Sequence, residues 1–377
     1  MTAYLLILLF LMGIYYLRVS IVDRGIQVAS DYSAGSKFTI INTSIILVLF
    51  IGLRGLSGTD TPFYQGFYYS GIYPSDIEPL YKNLSIVLSE SNYNFWNLQL
   101  IVAAITILPI TYTLIKCSKN YCLSLLILYL STFPMMMMNV ARQMIAVSLL
   151  FFFVMLAIQI GGKFSSIVLI SGIIVSYNFH HSTIIGLGLL LIAYVLYTII
   201  RCNFKMLVIF GALSLIWSIV MYTSNFGYSI MVELLKIPVF EKYVYAATPS
   251  DFIMHNSPFA LIVGVCLSLV SIVLGLTLDK NTVTKVSIFL IAINVVYSMT
   301  ISSQVLWITD RCGTYLMPFM FLMLPNLLHG NQFRKNGQKI SFILYFLFLG
   351  VHFTRTMLNN YGGFAPYDSQ IFNYFVN

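Results

Sequence analysis

The sequence predicts an all-α protein, a polytopic transmembrane helical bundle of about twelve spans. Three observations carry this reading. Hydrophobic residues make up 59% of the chain and charged residues 8%, with a mean hydropathy of +0.88, whereas a soluble domain carries about 25% charged residues. Apolar runs close to the ~20 residues that a span requires recur from end to end. No polar stretch between them is long enough to bury a core of its own. Without an internal repeat or a low-complexity linker, residues 1–377 read as one integral membrane domain.

The runs fall at 2–17, 38–53, 92–115, 121–138, 143–160, 164–179, 183–200, 206–224, 258–278, 286–308, 312–328 and 340–358. The first has no basic segment before it and no small-residue cleavage site after it, so it reads as a retained helix rather than a signal peptide. The second stops at Arg54, where glycine, threonine and proline break the helix (Gly55, Gly58, Thr59, Thr61, Pro62). The fourth ends in four methionines, Met135 to Met138, read as flexible apolar packing rather than a metal box. Cys117, Cys122, Cys202, Cys266 and Cys312 lack paired metal spacing and read as helix-packing residues, with no disulfide framework.

Orientation follows from the basic residues. With the N-terminus outside, thirteen of the twenty Lys and Arg fall in inner loops, and every inner loop holds at least one. The net charge of +8 is thereby assigned to cytoplasmic loops, not to nucleic acid. Two long segments, 54–91 and 225–257, and the tail 359–377 then lie outside, rich in Tyr, Phe and Pro. Binding chemistry favours the face with elaborate loops.

Against that bias, Arg54, Arg142, Arg311 and Arg355 stand at the outer ends of four helices. An uncompensated charge near hydrocarbon costs several kcal/mol, and the planar guanidinium suits phosphate oxygens two at a time. Convergence on one diphosphate competes with snorkelling to headgroups or local pairing, as Asp310 beside Arg311 invites. Arg142 also opens a helix, where its charge opposes the dipole, so something other than the helix requires it. His180 and His181 point in different directions on a helix and have no Cys or carboxylate ligands at zinc spacing, which argues against a metal. Either could serve as a general base, or simply contact headgroups. The outer carboxylates are Asp60, Asp76, Glu78, Asp251 and Asp310. None falls within a span, which disfavours a proton-coupled transporter. The aromatics of the first outer segment, Tyr64 and Tyr81 among them, suit either an interface belt or stacking on sugar rings. No phosphate-binding Gly-rich loop and no long inner loop exist, so nucleotide sugars and ATP are not expected substrates.

The order of short motifs resembles the EpsG family of Wzy-type polysaccharide polymerases. They are Leu53-Arg54-Gly55 with Gly58-Thr59-Asp60 and Tyr64, then Glu78-Pro79-Leu80-Tyr81, Asn139-Val140-Ala141-Arg142-Gln143, His180-His181-Ser182, Asp310-Arg311, and a tail with Pro366-Tyr367. The resemblance implies a GT-C-like bundle in a bacterial inner membrane, its active site facing the periplasm. It implies an O-antigen or related surface polysaccharide polymerase without a cofactor or metal, using undecaprenyl-diphosphate-linked oligosaccharide. Membrane lipid and a chain-length regulator protein would be its partners. Asp60 or His181, with His180 and Glu78 as further candidates, would activate the acceptor hydroxyl. Arg142 and Arg311 would hold the diphosphate with Arg54 assisting, and Gln143, Asp310, Tyr64, Tyr81 and Arg355 would complete the binding set. An O-antigen ligase, a flippase or transporter, and an acyltransferase are the competing readings.

Overall fold

A computed structural model describes residues 2–23, 34–224, 233, 236, 258–278, 283–302, 311–327, 336–360 and 362–369. The protein is an all-α polytopic membrane protein. Among the described residues, eight helices are long and apolar enough to cross a membrane, a bent pair adds a ninth span, and three shorter apolar helices coincide with the runs at 2–17, 38–53 and 312–328. All twelve predicted runs are therefore helical where they are described. Of the second long outer segment, 225–257, all but Glu233 and Lys236 lies outside the described residues, as does residue range 303–310 that closes the predicted span 286–308.

Two compact units divide the chain, one formed by 1–184 with 353–377 and the other by 185–352. The first unit begins with α1 (Thr2–Asp23) and α2 (Ala34–Gly52). The segment that follows, 54–91, is itself partly helical: α3 (Thr61–Ser70) and α4 (Pro79–Glu90) are short and carry polar residues, and each has a proline in its first turn, Pro62 and Pro79, where its fixed φ and missing N–H are suited. Then come α5 (Phe95–Cys117), α6 (Tyr121–Leu130), α7 (Phe133–Asn139), α8 (Ala141–Ile160) and α9 (Gly162–Phe179). In this unit α2 packs on α5, α5 on α8, α8 on α9, and α1 on α6. Ser148 Oγ on α8 donates to the Thr106 carbonyl on α5 at 2.6 Å, a polar tie between two apolar helices. One face of α9 is uncovered: Phe164, Ile167, Ile170 and Ile174 recur at helical spacing and are exposed, as lipid-facing residues are.

The run 121–138 is not one straight span. Its two helices meet at 49° across Ser131 and Thr132. Thr132 holds φ +62°, a left-handed conformation that disfavours β-branched residues, and Pro134 follows within the first turn of α7. As a consequence, the short α7 delivers Asn139 to the start of α8 through the single residue Val140.

The second unit holds α10 (Thr183–Cys202) from residue 185 on, α11 (Met206–Thr223), α12 (Pro258–Thr277), α13 (Lys285–Ser302), α14 (Met317–Leu327) and the greater part of α15 (Asn336–Asn359). Here α11 packs on α12, and α13 on both α12 and α14. Asn294 Nδ2 on α13 donates to Ser271 Oγ at 2.8 Å and to the Leu267 carbonyl at 2.9 Å on α12, and Ser214 Oγ on α11 reaches Ser268 Oγ at 2.8 Å.

Candidate active site

Three motifs far apart in sequence meet on Glu78. Its backbone caps α4 in an extended conformation, but its carboxylate makes no bond to that helix's first N–H groups. One oxygen, Oε2, instead accepts from Nη1 of Arg142, at the start of α8. The other, Oε1, lies 2.5 Å from Nδ1 of His180, the residue that ends α9, and also accepts the His181 backbone N–H at 3.3 Å. The Glu78 side chain is 3% exposed, Arg142 20% and His180 23%, so the carboxylate is the buried hub and its partners reach the surface.

Electrostatics fixes the protonation. Burial alone would raise the Glu78 carboxyl, but the hydrogen bond and charge of His180 and the charge of Arg142 outweigh it and pull its pKa down to about 2. An ionised carboxylate only accepts, so the Nδ1 of His180 carries the proton of their bond. In the neutral form of the ring, that arrangement leaves Nε2 as the acceptor, which is the tautomer a general base needs.

Tyrosines line the cationic side. The Arg142 guanidinium lies 5.9 Å from the centre of the Tyr64 ring, within cation–π range, and Tyr64 packs against Tyr81 at 5.5 Å. Burial drives the Tyr81 phenol well above its ordinary pKa, so it stays neutral. Both Arg54 and Arg142 act electrostatically on Tyr81. Arg54 is 2% exposed; its Nη1 donates to the Ile51 carbonyl at 2.7 Å, capping the C-terminal end of α2. Burial lowers its pKa to about 10, with Tyr81, Tyr367, Tyr4 and Tyr64 opposing that shift, and it remains protonated at neutral pH.

The Gly-Thr-Asp stretch is anchored to the same place. Asn139 Oδ1 accepts from Thr59 Oγ1 at 2.6 Å and from the Asp60 backbone N–H at 2.9 Å. Thr61 Oγ1 donates to the Met138 carbonyl at 2.9 Å. Gly58 holds φ +99°, and a Cβ there would lie 2.3 Å from the Met138 oxygen, so only glycine permits this approach. Asp60 itself starts α3 and is half-buried.

Of the residues singled out in the sequence, Arg54, Tyr64, Glu78, Tyr81, Arg142 and His180 form one cluster, with Asp60 tied to the same α7–α8 junction through Asn139. Gln143 is buried one position past Arg142. His181 is exposed; its ring packs against Tyr177, tilted by 37° with centroids 4.7 Å apart, and it meets Glu78 through its backbone N–H. Arg355, near the end of α15, is half-buried and belongs to the first unit. Arg311 belongs to the second unit. Asp310 and Asp251 lie outside the described residues. Asn139 was visible only as part of its motif; its role depends on the kink at Thr132, which hydropathy does not register.

The family described as the EpsG family matches this chain over residues 37–369. That match spans most of the chain and includes every residue of the cluster, so the chain belongs to the EpsG family, whose members are Wzy-like polymerases. No curated protein and no solved structure matches it.

Proposed function

We propose that this EpsG-family chain polymerises a bacterial surface polysaccharide. It would move a growing glycan from undecaprenyl diphosphate onto the sugar end of a second lipid-linked repeat unit, on the periplasmic face of the inner membrane. The observation that carries this reading is the Glu78 carboxylate held between Arg142 and His180. The excess of Lys and Arg in alternate loops supports the periplasmic orientation.

In this mechanism His180 Nε2 takes the proton of the acceptor hydroxyl. The oxygen so activated attacks the anomeric carbon of the donor glycan, and the bond from that carbon to the phosphate oxygen breaks. The diphosphate leaves with the bonding electrons, and its growing charge is met by the remaining N–H groups of Arg142, with Arg54 contributing charge from beneath. Glu78 positions both: it fixes the histidine tautomer and holds the arginine in place. A positioned base of this kind contributes roughly 10²–10⁴ in rate. Tyr64 and Tyr81 offer neutral aromatic surface beside the sugar.

The test is complementation of a polymerase-null strain at matched protein level. Arg142→Ala is expected to leave only single-repeat products, and Arg142→Lys to fail as well if two-point phosphate contact is required. An undiminished ladder of long chains from Arg142→Ala would discard the assignment. Loss of all decorated core in the null strain would instead identify a ligase.

A further inference from the structure

The segment after α15 is not a loose end. Residues 362–369 lie along the first outer segment and bond to it repeatedly. Gly58 N–H donates to the Gly363 carbonyl at 2.9 Å, Thr59 N–H to the Gly362 carbonyl at 3.0 Å, and Gly55 N–H to the Asp368 carbonyl at 2.8 Å. Asp368 Oδ2 accepts the Leu56 N–H at 2.9 Å, and the Asp368 N–H donates to Ser57 Oγ at 2.8 Å. Arg54 pairs with Ser369 as an antiparallel bridge. Aromatic anchors fasten the segment below: Tyr367 stacks on Phe50 at 4.6 Å and donates its hydroxyl to the Phe50 carbonyl at 2.5 Å, while Tyr4 donates to the Phe364 carbonyl at 2.6 Å.

One residue does more here than its neighbours. Asp368 makes three bonds to residues 55–57, one through its carbonyl, one through its N–H and one through its carboxylate. Its carboxylate occupies the space where a Cβ on Gly55 would stand, 1.8 Å from Oδ2. From residues 55–57 the bonds continue unbroken: Thr59 and Asp60 to Asn139, Thr61 to Met138, and two residues beyond Val140 nothing but the first turn of α8 separates this junction from Arg142.

We propose that residues 362–369 are a strap on the candidate active site, in which Asp368 is a positioning residue that holds Arg142 against Glu78 through residues 55–61 and Asn139. The strap is independent of the substrate; only its effect on turnover rests on the polymerase reading. Asp368 touches no reacting atom. Because the diphosphate charge that Arg142 meets grows as the bond breaks, a misplaced guanidinium lowers kcat more than it raises KM.

The experiment uses full-length purified protein and four chains: wild type, Asp368→Ala, Asp368→Asn and Gly55→Ala. Amide hydrogen exchange is read on peptides covering 55–61 and 138–142, and turnover on undecaprenyl-diphosphate-linked repeat units. Asp368→Ala and Gly55→Ala, which break the contact from opposite sides, are expected to speed exchange about fivefold or more in both peptides. Their kcat is expected to fall about tenfold, with KM within about twofold. Asp368→Asn keeps an acceptor for the Leu56 N–H and is expected to stay near wild type in both readouts. Exchange in 138–142 unchanged by either contact-breaking variant would overturn the strap, as would Asp368→Asn failing as badly as Asp368→Ala. If wild type makes no polymer, the polymerase reading fails, while the exchange result still decides the strap.

Discussion

Both compact units bury polar side chains, but the groups differ in kind. In the unit 185–352, Asn294 meets Ser271 and the Leu267 carbonyl, Ser214 meets Ser268, and Trp217 Nε1 donates to the Met299 carbonyl at 3.2 Å. All are neutral groups joining one helix to the next, which is how small polar residues hold membrane helices together. A cavity of about 420 Å³ in that unit is walled by apolar side chains such as Leu189, Phe210, Leu213 and Val296. In the other unit, the polar groups at the ends of α4, α8 and α9 are ionisable side chains, and they gather on one buried carboxylate. Helix packing alone would not select them. Replacing a buried ion pair by apolar residues is often neutral or stabilising, so its presence points to a use other than cohesion.

That contrast can be broken most directly at Glu78. Glu78→Ala leaves the arginine at the start of α8 without its carboxylate and is expected to cost about 3–5 kcal/mol of stability. Polymer formation should fall below detection at matched protein level. Retention of long chains by this variant would reduce the ion pair to packing. Next in size is the separation of the two histidines. His180→Ala is expected to lower turnover by about 10²-fold or more, as loss of a base does. His181→Ala, which removes an exposed ring packed against Tyr177, should stay within about threefold of wild type, since surface changes are usually small. Equal loss from both would mean that the Glu78–His180 contact does not select the base. Smaller still is the expected effect in the other unit. Asn294→Leu should lower thermal stability by about 1 kcal/mol, measured by unfolding in detergent, and leave turnover per folded molecule unchanged.

The pH dependence sharpens the same point. Glu78 titrates in the folded protein at about 2, below the ordinary carboxylate value near 4.3. A depressed pKa stabilises the fold above the unfolded value and loses that contribution as pH falls through the folded one. The stability difference between wild type and Glu78→Gln is therefore expected to be flat from pH 5 to 8 and to shrink below about 4.5. A difference that changes between pH 6 and 8 would assign the titration to some other group.

The twelve apolar runs were readable because each span must supply its own length of hydrocarbon-compatible side chains. Counting spans also put 54–91, 139–142, 180–182 and the tail on one side, as the contacts of Glu78, Asn139 and Asp368 require. The pairings themselves were not readable, for they depend on which helices pack side by side. The kink at Thr132 and the helices α3 and α4 escaped for a different reason. A left-handed threonine and short surface helices leave no imprint on hydropathy. Arg54 shows the limit of reading charge alone: position marked it as a reaching cation, whereas it caps α2 and contributes charge from a buried place. For the base, the resemblance favoured His181 over His180, whereas the ring that meets Glu78 is that of His180.

The central claim is that Arg142, held by Glu78, meets the charge of a departing lipid diphosphate. Its most direct measurement is the reaction of purified wild type and Arg142→Ala with undecaprenyl-diphosphate-linked repeat units, following both glycan length and release of the lipid diphosphate. Long glycans with stoichiometric release from wild type, and neither from a folded Arg142→Ala, are the expected result. Equal polymer from the two proteins would contradict it.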